Sequence, residues 1–184
     1  ANFLSNLGWK AGERWGREVV LPGNFPYSES GLANRKPLGY WSGLGVTMTD
    51  GNPLPDVDME GSILVPAGHA GPAFVVYQNF DVIMRWNRSE SYALSVGLLA
   101  DRIAGAVSLA HPPSTTESAL NRRTVAEMQQ RLNDLGFSAG EPDGVLGPAT
   151  RSALRAFQKS SGMVADGHPD SVTLNALGIA EPSS

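Results

Sequence analysis

Cysteine is absent from this 184-residue chain. Disulfides, thiolate nucleophiles and thiolate metal sites are therefore excluded, and an oxidising compartment is allowed without being required. Histidine is nearly as scarce. His69, His111 and His168 fall in a turn, a proline-rich stretch and a second turn, without ligand spacing, so neither a metal nor a cofactor is expected. Charge is thin as well: 17 % of residues are charged, the net charge is −4, and no run of Lys or Arg makes a local exception, which sets nucleic acid aside as a partner. No apolar run approaches the ~20 residues a membrane helix needs.

What is present is a turn-rich globular composition, 41 % hydrophobic with 21 Gly and 13 Pro, enough for one or two small domains. The chain opens without Met at Ala1-Asn2-Phe3-Leu4, which reads as the last turns of an amphipathic helix closed by Gly8, and so as a portion of something longer. Arg17 to Leu21 reads as a strand stopped by Pro22-Gly23, and Leu38 to Leu44 as a short helix ending at Gly45. Ser62 to Pro66 and Phe74 to Tyr77 read as two strands of a hairpin around Gly68-His69-Ala70-Gly71. The first region is thus α+β, a small antiparallel sheet beside helices.

The stretch from Asn79 to Ile103 carries most of the functional reading. Asn79 is a credible N-cap for a helix with Phe80, Ile83 and Met84 on one side, and the pattern stops at Asn87-Arg88. Ser89 and Glu90 restart a helix as cap and first-turn acid, with Tyr92, Val96, Leu99 and Ile103 spaced as one buried stripe. At the junction stand an indole, Trp86, a carboxamide, Asn87, and one turn on a phenol, Tyr92. An indole stacks on the apolar face of a pyranose, and an amide donates and accepts at once to sugar hydroxyls or an acetamido group. The competing reading makes Trp86 and Tyr92 core aromatics and Asn87 a helix cap.

Gly71-Pro72-Ala73-Phe74-Val75-Val76, Asn79-Phe80, Trp86-Asn87-Arg88-Ser89 and Tyr92-Ala93-Leu94-Ser95-Val96-Gly97, together with Gly8-Trp9, Trp15-Gly16 and Gly39-Tyr40-Trp41, resemble the end of the catalytic domain of the B-type lytic murein transglycosylases. The resemblance covers roughly the first 105 residues. It implies part of a lysozyme-like catalytic domain, with Asn87 hydrogen-bonding glycan near the cleavage point and Trp86 and Tyr92 lining the cleft. Tyrosine is common in the family where this chain has Trp86.

Ala110-His111-Pro112-Pro113-Ser114-Thr115-Thr116 has a linker's composition. Beyond it, Thr124 to Glu127 reads as a capping box opening a helix with Val125, Met128, Leu132 and Leu135 inward, and Pro148 starts a second helix carrying Ala153, Leu154 and Phe157. A third runs from Asp170 to Leu177. Asp143-Gly144, Thr150 and Leu154 recur 23 residues on as Asp166-Gly167, Thr173 and Leu177, an internal repeat. Its Asp-Gly turns are structural first, with Gly144 and Gly167 supplying positive φ. The arrangement resembles the three-helix peptidoglycan-binding module of wall enzymes. The expected division is 1–109 catalytic-domain portion, 110–119 linker and 120–184 peptidoglycan-binding module.

The transglycosylase resemblance implies cleavage between N-acetylmuramic acid and N-acetylglucosamine by a single glutamic acid. That acid protonates the leaving oxygen and then takes the proton of the muramoyl primary hydroxyl, which closes on the anomeric carbon to give a 1,6-anhydro sugar. In the family this Glu lies on an earlier helix, and no residue here matches it. Glu13, Glu18, Glu29 and Glu60 sit in polar or turn-rich stretches, Asp81 and Asp101 read as helix-surface charges, and Ser89 lacks an adjacent base. The expectation is therefore no catalytic residue in this chain, with peptidoglycan strands and the upstream part of the same catalytic domain as partners. The implied location is the periplasm or envelope of a Gram-negative bacterium, outer-membrane association included. A non-catalytic wall-binding or interaction protein is the alternative.

Overall fold

The computed structural model describes residues 5–106, 108–113 and 120–180. The Cα positions group into two compact units, one comprising Ala1–Pro66 and Gly71–Pro112, the other Ala67–Ala70 and Pro113–Ser184.

The first unit is built on β1 (Gly16–Val20), β2 (Lys36–Pro37), β3 (Thr47–Met48), β4 (Glu60–Leu64) and β5 (Ala73–Val76), in the order β2-β4-β5-β1-β3. All pairings are antiparallel, with Leu64 opposite Phe74 and Ser62 opposite Val76 in the hairpin. Strand β5 reads as an unbroken apolar run because both faces are covered. Ala73 and Val75 meet Val19, Ile63, Leu38, Trp41 and Val46 on one side, while Phe74 and Val76 meet Trp15, Leu64, Phe80, Ile83, Ala93 and Leu94 on the other. Helix α1 (Leu38–Gly43) is anchored by Trp41, whose indole Nε1 donates to Gly61 O at 2.9 Å. Gly61 is required there: a Cβ would stand 2.6 Å from Val75 Cγ2.

Helices α2 (Gln78–Trp86) and α3 (Glu90–Ile103) cover the other sheet face. Ser89 caps α3, accepting from Tyr92 N at 3.2 Å, as its position predicts. The expected buried stripe of α3 is corrected. Leu99 and Ile103 are 61 % and 80 % exposed, and Ala93, Leu94 and Gly97 face inward instead. The reason lies at Gly97, where the Trp15 indole comes so close that a Cβ would stand 2.4 Å from it, and the spacing of large residues cannot report a close approach. The helix end expected before Gly8 falls largely outside the described residues, which show Ser5 and Asn6 helical and Gly8 at φ +90°.

In the second unit α4 (Arg122–Asp134), α5 (Pro148–Ser160) and α6 (Ser171–Ala176) enclose Val125, Met128, Leu132, Ala153, Leu154, Phe157 and Leu174. Pro148 opens α5 and Asp170 caps α6, accepting from Thr173 N at 2.7 Å. The capping box at Thr124 is not formed. Asn121 is the cap, accepting from Thr124 N at 2.9 Å and from the Thr124 hydroxyl at 3.2 Å, so the helix starts three residues earlier, at Arg122 instead of Val125. Leu135 lies beyond the helix and is exposed. Most of the expected linker, residues 114–119, lies outside the described residues.

Candidate functional site

The three residues of the first unit whose chemistry suits glycan binding are all open to solvent. Trp86 ends α2 and is 66 % exposed, Asn87 is its exposed C-cap, and Tyr92, in the first turn of α3, is 40 % exposed. The core reading of the two aromatic rings is therefore wrong for this structure. Helix α2 breaks at Asn87 because its backbone turns extended (φ −142°, ψ 119°) and its Oδ1 accepts from Ser89 N at 3.1 Å. One carboxamide oxygen is thus spent on the junction, while the amide nitrogen donates to no described residue. The aromatic faces, the amide N–H and the basic Arg88 beside them make a surface suited to a sugar ring bearing an acetamido or acidic substituent.

The junction is held from behind by groups with no legible sequence signal. Asn79 is not a cap, since Tyr77 occupies that position. It is fully buried, accepting from Lys10 N at 2.8 Å and donating to Lys10 O and Glu13 O at 2.8 Å each. Its position near a helix start suggested a cap, but the partners lie 66 or more residues away in sequence. Replacing Asn79 with Ala removes the side-chain partner of Lys10 N, Lys10 O and Glu13 O and is expected to cost on the order of 2 kcal/mol, read by chemical denaturation. A loss near 0.5 kcal/mol would show that water satisfies the loop instead.

Two acids read as solvated charges also have partners. Asp101 accepts from Trp15 Nε1 at 3.0 Å, and Asp81 pairs with Arg35 at 2.8 Å. Glu18 on β1 accepts from the backbone N–H of Ala110 at 2.8 Å and of His111 at 2.7 Å. Among the described residues, the carboxyls that are shifted from their ordinary value, Asp50, Asp143 and Asp166, are shifted down, the wrong direction for a proton donor at neutral pH. Among the described residues no three His, Asp or Glu side chains cluster as metal ligands.

The second unit contains two turns built on one plan. In the first, Gln129 on α4 donates through Nε2 to Asp143 Oδ1 (3.0 Å), Val145 O (3.1 Å) and Thr150 Oγ1 (3.0 Å), and its Oε1 accepts from Gly144 N (2.9 Å). In the second, Gln158 on α5 does the same to Asp166 Oδ1 (3.0 Å), His168 O (3.0 Å) and Thr173 Oγ1 (3.2 Å), accepting from Gly167 N (2.8 Å). Both glycines have positive φ, +73° and +75°. The glutamines escaped the repeat in sequence because they precede their turns by unequal intervals, Gln129 to Asp143 and Gln158 to Asp166 lying 14 and 8 residues apart.

The two carboxylates differ in surroundings. Hydrogen bonds from Gln129 and Val145 N hold exposed Asp143 below the usual range. Burial alone pushes Asp166 up, but bonds from His168 N, from His69 N and its imidazole, and from Gln158 outweigh it and hold this acid low as well. His69, a bare turn residue by sequence, thus turns out to pair with Asp166 at 2.7 Å.

Residues 1–101 match the family described as Transglycosylase SLT domain, and residues 121–177 match the Putative peptidoglycan binding domain. SltB3 of Pseudomonas aeruginosa, solved in complex with NAG-anhNAM-pentapeptide, is 44 % identical with a TM-score of 0.92 over 96 % of this chain and 48 % of its own. The same protein with NAG-NAM-pentapeptide gives 0.91 at the same identity and coverage. The chain therefore spans about half the length of that relative. The N-acetylmuramoyl-L-alanine amidase CwlM of Mycobacterium tuberculosis is 45 % identical over 53 residues, 29 % of this chain and 13 % of that protein.

Proposed function

We infer the function from one premise: the chain belongs to the family of SLT-domain transglycosylases. It contributes to a peptidoglycan lytic transglycosylase that cleaves the MurNAc-GlcNAc bond with formation of 1,6-anhydromuramic ends, and it works in the cell envelope, on the periplasmic side. The observation that carries this reading is the exposed Trp86, Asn87 and Tyr92 set at the α2/α3 junction, inside the matched catalytic domain. Trp86 and Tyr92 stack on sugar faces, and the Asn87 amide hydrogen-bonds glycan near the scissile bond.

The proton donor comes from another part of the same catalytic domain. Three observations support this: among the described residues the shifted acids are shifted down, the chain spans about half of SltB3, and α3 turns Tyr92, Leu99 and Ile103 outward with Val96 half-buried between them. A helix with apolar residues on its outer as well as its inner side is one that another element covers. The segment 120–184 acts as a wall-binding module that raises the local concentration of the catalytic domain at its substrate.

The test joins this chain to the remainder of the catalytic domain. The chain alone is expected to release no anhydromuropeptides from sacculi above a blank, because proton transfer by a positioned acid contributes ~100-fold to ~10,000-fold. The joined enzyme should release them, and Asn87→Ala in it should lower turnover more than thermal stability, since losing a cap costs only about 1 kcal/mol. Release by the chain alone would place the acid within it. Unchanged turnover with a lowered melting temperature would reduce Asn87 to a cap, and a joined protein that pellets with sacculi but never cleaves would favour a purely wall-binding protein.

A further inference from the structure

The two Asp-Gly turns share their inner hydrogen bonds and part company at the outer carboxylate oxygen. Oδ2 of Asp166 accepts two donors from one residue, the backbone N–H of His69 at 2.8 Å and its ring Nδ1 at 2.7 Å, so this oxygen holds a short peptide turn, Gly68-His69-Ala70. Oδ1 of Asp143 is used like its counterpart, by Gln129 and by Val145 N at 2.8 Å, but among the described residues no donor reaches its Oδ2, and Asp143 is exposed. Beside it stands exposed Arg122, which donates through Nη2 to Asp143 O at 3.0 Å, and Val145, an exposed apolar side chain. The frame that fixes the Asp143 carboxylate is buried and rigid: Gly144 packs so close to the Arg122 carbonyl that a Cβ there would stand 2.4 Å from it.

We propose that the Asp143 turn is a peptide-binding site of the wall-binding module. Its Oδ2 accepts N–H groups of the peptide portion of peptidoglycan as Asp166 Oδ2 accepts those of His69, and the Arg122 guanidinium takes a carboxylate of the same peptide. This rests on the wall-binding reading above and deepens it, because it assigns recognition to the peptide and not to the glycan. A charged acceptor that is already oriented binds N–H donors without reorganising, which is why the second turn shows what the first one selects. The free N–H groups and the terminal carboxylate of a peptide match this acid and base pair, whereas neutral glycan hydroxyls use neither charge fully.

The full chain, isotope-labelled, is titrated with NAG-NAM-pentapeptide, with the pentapeptide alone, and with peptide-free glycan strands, following the amide signals of Gly144 and Val145. The two peptide-bearing probes are expected to shift these signals and the glycan to leave them in place. Asp143→Asn keeps Oδ1 for Gln129 and Val145 and turns the outer atom from acceptor to donor, so the fold should persist while peptide binding weakens about tenfold. Arg122→Gln should weaken binding of the pentapeptide but not of its C-terminal amide. Equal binding by Asp143→Asn, or shifts at Gly144 and Val145 with peptide-free glycan, would overturn the peptide site while leaving wall binding intact. A chain that fails to pellet with sacculi at all would overturn the wall-binding reading and this site with it.

Discussion

Gly97→Ala is expected to destabilise the sheet-bearing unit, although alanine is the better helix former. The added Cβ would lie 2.4 Å from Trp15 Cδ2, 2.5 Å from Cε2 and 2.9 Å from Cε3. Relief requires the indole to move, and it is held by the Asp101 carboxylate and by Phe74 and Phe80, each with its ring centroid 6.2 Å away. Overpacking of this kind costs about 3 kcal/mol, against a propensity gain of about 1 kcal/mol, so the net loss is about 2 kcal/mol. For a unit of this size that lowers the melting temperature by roughly 10 °C. Gly39→Ala in α1 is the control, because nothing lies within 4 Å of its Cβ position. It should be neutral or stabilising, and a Gly97→Ala variant that behaved like it would show the indole free to shift.

Gln158→Leu is expected to unfold the helical unit. The side chain is buried, and its loss leaves Gly167 N, His168 O and the Thr173 hydroxyl without this partner and removes a donor from the buried Asp166 carboxylate. At about 1–3 kcal/mol for each stranded group, the total approaches the whole stability of a domain this small. Gln129→Leu, the same change in the first turn, should cost clearly less, since Asp143 lies in water and can be solvated. Circular dichroism and denaturant titration of the two variants give the comparison. Equal losses would mean that carboxylate burial is irrelevant and that the glutamines matter only as packing.

What the sequence could reveal follows from where each signal resides. Strand β5, the hairpin and the starts of α3, α5 and α6 are written in local patterns of apolar spacing, turn residues and caps, and they stand where those patterns put them. Asn121 displaced Thr124 as a cap because two good capping residues three apart compete, and only the folded backbone decides between them. Asn79, Asp101, Glu18 and Gln158 were opaque for a different cause. Each acts on a backbone or ring that is distant in sequence, or hidden behind an unequal interval, and a polar residue's long-range partner leaves no periodic trace. At the candidate site, the residue types at the junction were legible and their exposure was not, because a large aromatic at helical spacing looks the same whether it faces a core or water.

The clasp of Glu18 on Ala110 and His111 bears on mechanics. A tether leaving the end of α3 would transmit any pull to that helix terminus, where force unzips hydrogen bonds one at a time. Here Glu18 adds a second point of attachment just before Pro112 and Pro113, since its strand β1 is paired with β5 on one side and β3 on the other. A pull reaching Ala110 and His111 is thus shared between the end of α3, through the backbone, and a strand of the sheet, through one carboxylate.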